Sequence, residues 1–187
     1  MERNIIEKIK EDVKRRCESP NNFFGVGSYE HIESVANNAV ELATLYKADV
    51  EVCEIAGWLH DIASITDYKL YENHHIHGAN MAEKILKSYN YPTDKIELVK
   101  LCILNHRGSV LKEKTTKEEI CVADADAISH YDTLQSLFYL VFVQRKLNID
   151  DGLEFVKSKL ERSYNKMSKE SKEYYQDKRN MIQAILR

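Results

Sequence analysis

The segment GWLHDIAS, residues 57–64, places a histidine and an aspartate side by side within an apolar run. Burying an unpaired aspartate in such a run is costly, and a bound divalent cation offsets that cost. Imidazole together with carboxylate suits Fe, Mn, Ni, Co or Zn better than Ca²⁺. We therefore interpret His60 and Asp61 as two ligands on the wall of a buried metal site.

Apolar residues on both sides of this stretch recur at helical spacing. Val52, Ile55 and Leu59 predict a helix over about 50–63, and Ile32 begins the apolar stripe of a helix over about 29–47 with Ser28 as its N-cap. Similar stripes predict helices over 4–18, from His77–Gly78, from Ile96 toward His106, from Ile120 to Tyr131, over 132–146 and over 153–164, and a last helix capped by Ser168. The segments 64–77 and 107–116 are predicted loops, and no segment shows a strand pattern.

The composition limits the function classes. The chain has 187 residues, is 43% hydrophobic and 30% charged, and carries a net charge of −3. These values predict one folded domain over residues 1–187, with no general basic field that would attract nucleic acid. The four cysteines show no CxxC pair, and we find neither a signal peptide nor a membrane span in the sequence. We expect a cytoplasmic protein with reduced thiols and no membrane partner.

A second unusual stretch is CVADADAISH, residues 121–130, which places Asp124 and Asp126 among small apolar residues of a helix. Either aspartate could supply another carboxylate to the metal. The structural alternative is that one of them caps a neighbouring helix or pairs with Arg107.

Taken in order, these motifs resemble the HD-domain superfamily of metal-dependent phosphohydrolases. The matching elements are SYEHIESVA with His31, WLHDIAS with His60 and Asp61, HHIHGANMAEKIL, ILNHRGS with His106, and ADAIS with Asp126. The resemblance covers residues 25–135 and implies an all-α, single-domain helical bundle with short connections. The remaining helices, 136–187, would pack on it as an appendage.

The resemblance also implies a set of site residues. His31, His60, Asp61 and Asp126 take the places of four metal ligands, with Asp126 preferred over Asp124 because Ala125 to Ile128 match the family's context. His75 and His106 correspond to histidines that bind a second ion in some members and line the substrate site in others. The implied cofactor is one divalent transition metal per chain, and a second ion is left open.

The chemistry implied is hydrolysis of a phosphate ester of a nucleotide or small metabolite by a metal-activated water. Asp61, His75 and His106 are the predicted catalytic residues, and Arg107 and His77 are the predicted substrate-binding residues. HHIHG is also a potential helix N-terminus for an anion. The alternatives are a nucleotide phosphodiesterase and a non-catalytic regulatory module that binds metal or nucleotide. The sequence predicts a small phosphorylated partner and leaves the oligomeric state open.

Overall fold

The computed structural model describes residues 2–107 and 113–186, and over these residues the chain is helical without strands, as predicted. None of the helices in these two ranges is long and apolar enough to cross a membrane. The helices are α1 (Glu2–Cys17), α2 (Gly27–Tyr46), α3 (Val50–Leu59), α4 (Ile62–Thr66), α5 (His74–Ser88), α6 (Thr93–Asn105), α7 (Lys117–Asp132), α8 (Leu134–Phe138), α9 (Ile149–Lys166) and α10 (Lys169–Ile185), with a 3₁₀ helix at Tyr68–Asn73 and a π-helical segment at Tyr139–Gln144.

Helix α2 lies at the centre of the fold and packs against both α3 and α7. Its buried face carries Ala36, Ala39 and Ala43, whose small side chains let the neighbouring helices approach closely. Helix α1 covers the other side of α3 with Ile9 and Val13, both buried. The core therefore forms around the helices that carry His31, His60 and Asp126.

Gly57 lies at a close approach between α2 and α3. A Cβ atom at this position would lie 2.7 Å from the Cα atom of Ala36 and 3.1 Å from its backbone nitrogen. Both contacts are with backbone, so neither can be relieved by rotating a side chain.

We expect Gly57→Ala to lower the free energy of unfolding by about 1–3 kcal/mol, the usual cost of overpacking a core. Alanine's higher helix propensity, worth about 1 kcal/mol, offsets only part of the clash. Urea unfolding measures the change. Gly27→Ala is the control, because its Cβ would lie 3.4 Å from the nearest atom, an ordinary contact. Equal stability of Gly57→Ala and the wild type would show that the close approach is not required.

The predicted continuous helix over 50–63 is wrong in one respect. Helix α3 ends at Leu59 and α4 begins at Ile62, with Asp61 at φ −108° and ψ 16° between them. The Asp61 carboxylate accepts a hydrogen bond from Ser64 Oγ at 3.1 Å, which supports the turn. In an unbroken helix the His60 and Asp61 side chains would diverge by about 100°. The break changes the course of the chain between these two residues.

The predicted loop over 64–77 is also wrong, because most of it is helical. Asp67 accepts a hydrogen bond from the backbone nitrogen of Lys69 at 2.9 Å and so begins the 3₁₀ helix. Tyr71 then packs on Phe24, with ring centroids 5.2 Å apart. Helix α5 consequently begins at His74, three residues before the predicted start.

The structure also differs from the predictions at the start of α2 and within 132–146, and it shows where α7 begins. Ser28 lies inside α2 and donates to the carbonyl oxygen of Gly25 at 2.7 Å, so it is not the N-cap. The predicted helix over 132–146 is divided into α8 and the π-helical segment. Of the predicted loop over 107–116, residues 108–112 lie outside the described part of the chain, and a capping box at Thr116 starts α7.

The C-terminal helices pack against the α7 side of the bundle. Tyr131 of α7 donates a hydrogen bond to the carbonyl oxygen of Leu160 in α9 at 2.8 Å. Ser168 accepts from the backbone nitrogen of Ser171 and is the N-cap of α10, as predicted. This packing brings one face of α9 alongside the end of the bundle that carries the histidines.

Candidate metal centre

A cavity of about 570 Å³ opens where α2, α7 and α9 meet the α3–α4 turn and the start of α5. Five of the predicted site residues line it: His31, Asp61, His106, Arg107 and Asp126. His60 is fully buried behind this lining. The elements that carry these residues are far apart in sequence, so the cavity is a product of tertiary packing.

The first group of potential metal ligands comprises His31, His60 and Asp126. One donor atom from each of these residues lies within 4.8 Å of the others. Asp126 Oδ1 lies 3.3 Å from His31 Nε2 and 4.0 Å from His60 Nε2. The second oxygen of Asp126 is bonded to the Lys166 ammonium. One carboxylate oxygen therefore faces the histidines and the other is held by a lysine.

The second group comprises Asp61, His74 and His106, again with donor atoms within 4.8 Å. Asp61 Oδ1 lies 3.6 Å from His74 Nε2, and its Oδ2 lies 3.6 Å from His60 Nε2. The adjacent residues His60 and Asp61 thus belong to different groups. Asp61 lies between the two groups and presents one oxygen to each.

The histidines are oriented by hydrogen bonds to backbone carbonyls. His60 Nδ1 donates to Gly57 O at 2.8 Å, His74 Nδ1 to Tyr71 O at 2.8 Å, and His106 Nδ1 to Ile103 O at 2.6 Å. A carbonyl oxygen can only accept, so each Nδ1 carries the proton and each neutral ring keeps a lone pair on Nε2. Fixing the tautomer in this way is typical of histidines that bind metals.

Two features of the free nitrogens fit a bound cation. His60 Nε2 is buried and has no hydrogen-bond partner among the described residues. His74 Nε2 and His106 Nε2 approach to 3.2 Å although both Nδ1 atoms hold the ring proton. An unpartnered buried acceptor and two facing lone pairs are both unfavourable without a shared proton or a cation. Nitrogen and carboxylate donors without sulfur suit the transition metals predicted from the sequence.

The local electrostatics favour the protonation states that metals require at Asp61, Asp126 and His106. Burial opposes ionisation of Asp61, but His60, His74 and His106 outweigh it and hold the pKa of this carboxyl below its usual range. Burial is likewise outweighed at Asp126, where Lys166 lowers the pKa of the carboxyl. Burial, followed by repulsion from His60 and His74, lowers the pKa of His106, which favours a neutral ring.

The structure separates the two aspartates of α7. Asp126 lies in the first group, whereas Asp124 accepts hydrogen bonds from the backbone nitrogen of Ser168 at 3.0 Å and from its hydroxyl at 2.5 Å. Asp124 therefore holds the start of α10, which is the helix-capping alternative considered for it. Two residues along a helix correspond to a rotation of about 200°, so the two carboxylates face opposite sides.

The HHIHG segment is placed differently from the prediction. His74, not His75, joins Asp61 and His106, and neither His75 nor His77 lines the cavity. Consecutive residues of α5 point about 100° apart, so only one of the two neighbouring histidines can face Asp61. The sequence predicted that this helix begins near His77, so His74 and His75 were not expected to be helical. The direction of their side chains could therefore not be predicted.

The cavity lining also includes residues that the sequence did not predict to be part of the site. His130 lines the cavity, and its Nδ1 donates to Asp126 O at 2.7 Å. Lys159 and Lys166 reach the cavity from α9, in the segment interpreted only as an appendage. The sequence places cations at 159, 162 and 166, which is a helical spacing. The spacing alone does not indicate that this side of α9 faces the cavity.

Comparison with known proteins adds the family. The sequence profile described as HD domain matches residues 28–131, more than half of the chain. The chain belongs to the HD domain family. The matched region contains every residue of the two ligand groups, and α9 and α10 lie beyond it.

Individual relatives agree with this assignment. The HD domain protein described here is 34% identical over 106 residues to ribonuclease Y of Finegoldia magna, and it spans only 19% of the length of that relative. The crystal structure of Bacillus subtilis YpgQ has a similar fold, with a TM-score of 0.73, 19% identity and coverage of 98% of this chain and 93% of that one. A predicted HD superfamily hydrolase from an uncultured Thermotogales bacterium aligns with a TM-score of 0.57 and 20% identity, covering 84% of this chain and 83% of that one.

Proposed function

We propose that this HD domain protein is a metal-dependent phosphohydrolase that cleaves a phosphate ester of a nucleotide or a related small metabolite. The observation that carries the proposal is the position of Asp61 between two ligand groups at the wall of one cavity. Family membership supports a hydrolase, and YpgQ, which shares the fold, has also been crystallised in complex with ADP.

The first group, His31, His60 and Asp126, would hold one divalent metal, with Asp61 facing it through Oδ2. A metal bound there supplies positive charge to phosphate oxygens and lowers the pKa of a bound water toward about 7. Asp61 stays ionised at neutral pH because its pKa is held low, so it accepts hydrogen bonds and does not donate a proton.

His106 serves better as a ligand than as a proton donor. Its pKa is lowered by burial, and its Nδ1 proton is engaged by Ile103 O. Arg107 lines the cavity beside it, and its guanidinium donates to the carbonyl oxygen of Glu72. In this proposal the remaining guanidinium donors bind a phosphate oxygen.

The test of the function is a screen of phosphorylated metabolites with added Mn²⁺, Co²⁺ or Ni²⁺. We expect phosphate release from at least one nucleotide that requires metal and stops on chelation. Metal binding without release from any phosphorylated compound would instead favour the regulatory module.

Cleavage of a phosphodiester is the second candidate, favoured by the similarity to ribonuclease Y. The same metal groups would serve either bond, since both reactions transfer a phosphoryl centre to water. A short single-stranded RNA included in the screen separates the two, because a phosphodiesterase shortens it and a nucleotide phosphohydrolase does not.

We expect saturating Mn²⁺ to bind at close to two ions per chain, because the second group is as complete as the first. His74→Ala should reduce the ratio to about one, and His75→Ala should leave it unchanged while circular dichroism confirms the fold. Elemental analysis after removal of free metal gives the ratio. Loss of an ion from His75→Ala instead of His74→Ala would contradict the assignment of His74 to the second group. If the wild type bound no metal at all, the proposed metal site would be wrong.

A further inference from the structure

The cavity wall is strongly cationic beyond the metal ligands. Its described lining contains two carboxylates, both assigned to the ligand groups, and five cationic side chains: Arg107, Arg145, Lys159, Arg162 and Lys166. With neutral histidines this gives a net charge of +3 before any metal binds. A phosphomonoester carries a charge of only about −2 at neutral pH, which metal ions alone would neutralise.

Three of these cations have no carboxylate partner. Lys166 pairs with Asp126, and Arg107 lies 3.6 Å from a carboxylate oxygen of Glu72. By contrast, the ion pairs of the described residues include none for Arg145, Lys159 or Arg162. Half-buried cations are usually paired, so Arg145 and Lys159 leave charge on the wall without an ion-pair partner, and the exposed Arg162 adds to it.

Helix α9 directs these charges into the cavity. Phe155, Lys159, Arg162 and Lys166 follow one another at intervals of four, three and four residues and therefore share one helical face. Lys159 is half-buried on this face, and burial lowers the pKa of its ammonium. Like charges three and four residues apart repel one another, so this face is costly without a ligand.

Arg145 approaches the same wall from the end of the π-helical segment. Its guanidinium lies 4.6 Å from the ring centroid of Phe155, a cation–π contact that holds its plane. A guanidinium stacked on a ring keeps its edge donors free, and these donors match the oxygens of a phosphate.

We propose that Arg145, Lys159 and Arg162 form a polyphosphate subsite, so that the substrate of this protein carries at least two linked phosphates. This inference rests on the proposed function, because it takes one phosphate to lie at the metal groups and the others to lie on α9. The cavity volume of about 570 Å³ suits a small ligand such as a nucleoside di- or triphosphate. The residues that select the number of phosphates lie outside the segment matched by the family profile.

The test compares probes that differ in the number of phosphoryl groups and cannot be hydrolysed. Inorganic phosphate, methylenediphosphonate and bis(methylene)triphosphonate are titrated into Mn²⁺-loaded protein by calorimetry. The variants are Lys159→Gln and Arg162→Gln. The control is Lys157→Gln, which removes an exposed lysine of α9 that does not line the cavity.

We expect the wild type to bind the triphosphonate more tightly than phosphate. Each of the two variants should weaken triphosphonate binding by about 10- to 50-fold, as expected for loss of a charge-assisted hydrogen bond. Phosphate affinity should change by less than threefold, and Lys157→Gln should match the wild type for every probe.

Equal weakening for all three probes, or no weakening in either variant, would overturn the polyphosphate subsite. Circular dichroism checks each fold, and the two variants provide independent tests. A chain-length preference that Lys159→Gln removes, in a protein without hydrolytic activity, would retain the subsite and reject the phosphohydrolase. Hydrolysis of phosphomonoesters by a protein that shows no preference for the longer phosphonates would retain the phosphohydrolase and reject the subsite.

Discussion

Replacing Asp61 with alanine is expected to reduce metal-dependent hydrolysis by at least about a thousandfold while the helical fold is retained. Asp61 presents one oxygen toward His60 and the other toward His74, each at 3.6 Å, so its removal affects both ligand groups. Losing one member of a set that acts as a unit removes most of the rate enhancement. The apolar residues around it, such as Leu59 and Ile62, still pack.

The measurement is the rate of phosphate release with saturating metal, together with metal content and circular dichroism. Asp177→Ala is the matched control, since this exposed aspartate of α10 lies outside the cavity lining. Activity of Asp61→Ala at the wild-type level would exclude Asp61 from the site. Loss of the helical spectrum would show that the residue is structural first.

Replacing Asp126 with asparagine is expected to lower Mn²⁺ affinity by at least about tenfold, whereas Asp124→Asn should leave it nearly unchanged. Asp126 Oδ1 faces His31 and His60, and asparagine keeps the shape but removes the charge that attracts the metal. Asp124 instead holds Ser168, so Asp124→Asn should lower the free energy of unfolding by about 1–2 kcal/mol through the weakened start of α10.

Calorimetric titration with Mn²⁺ and urea unfolding of both variants measure the two effects. Because the two substitutions are chemically identical and two residues apart, each serves as the control for the other. The reverse ranking of metal affinities would place Asp124 in the ligand set and remove Asp126 from it.

Local pattern was enough to predict the helical class. Stripes such as Ile32, Val35 and Ala36 repeat at helical spacing, and burial of those stripes is what stabilises the helices. Boundaries were less predictable where contacts distant in sequence intervene. The 3₁₀ helix after Asp67 is held partly by Tyr71 packing on Phe24, which lies more than forty residues earlier.

Five of the six residues in the two potential ligand groups were also named from the sequence. His31, His60, Asp61, His106 and Asp126 carry ligand chemistry, and all five lie within the region matched by the HD domain profile. The sequence could not show that His74, and not His75, lies beside Asp61. The directions of these two side chains depend on the residue at which α5 begins. Assigning metal, catalytic and substrate-binding roles to individual residues stays a prediction.

The residues alone therefore predicted the all-helical class and the HD domain family correctly, and the role of the pair His60–Asp61 stays a prediction. These properties follow from spacing and side-chain chemistry, which are local. The three-dimensional packing was needed to show that His60 and Asp61 belong to different potential ligand groups, that His74 joins the second group, and that α9 lines the cavity with cations. These features depend on the direction of side chains across helices that meet by packing, and spacing along one helix does not specify which neighbour its face will contact.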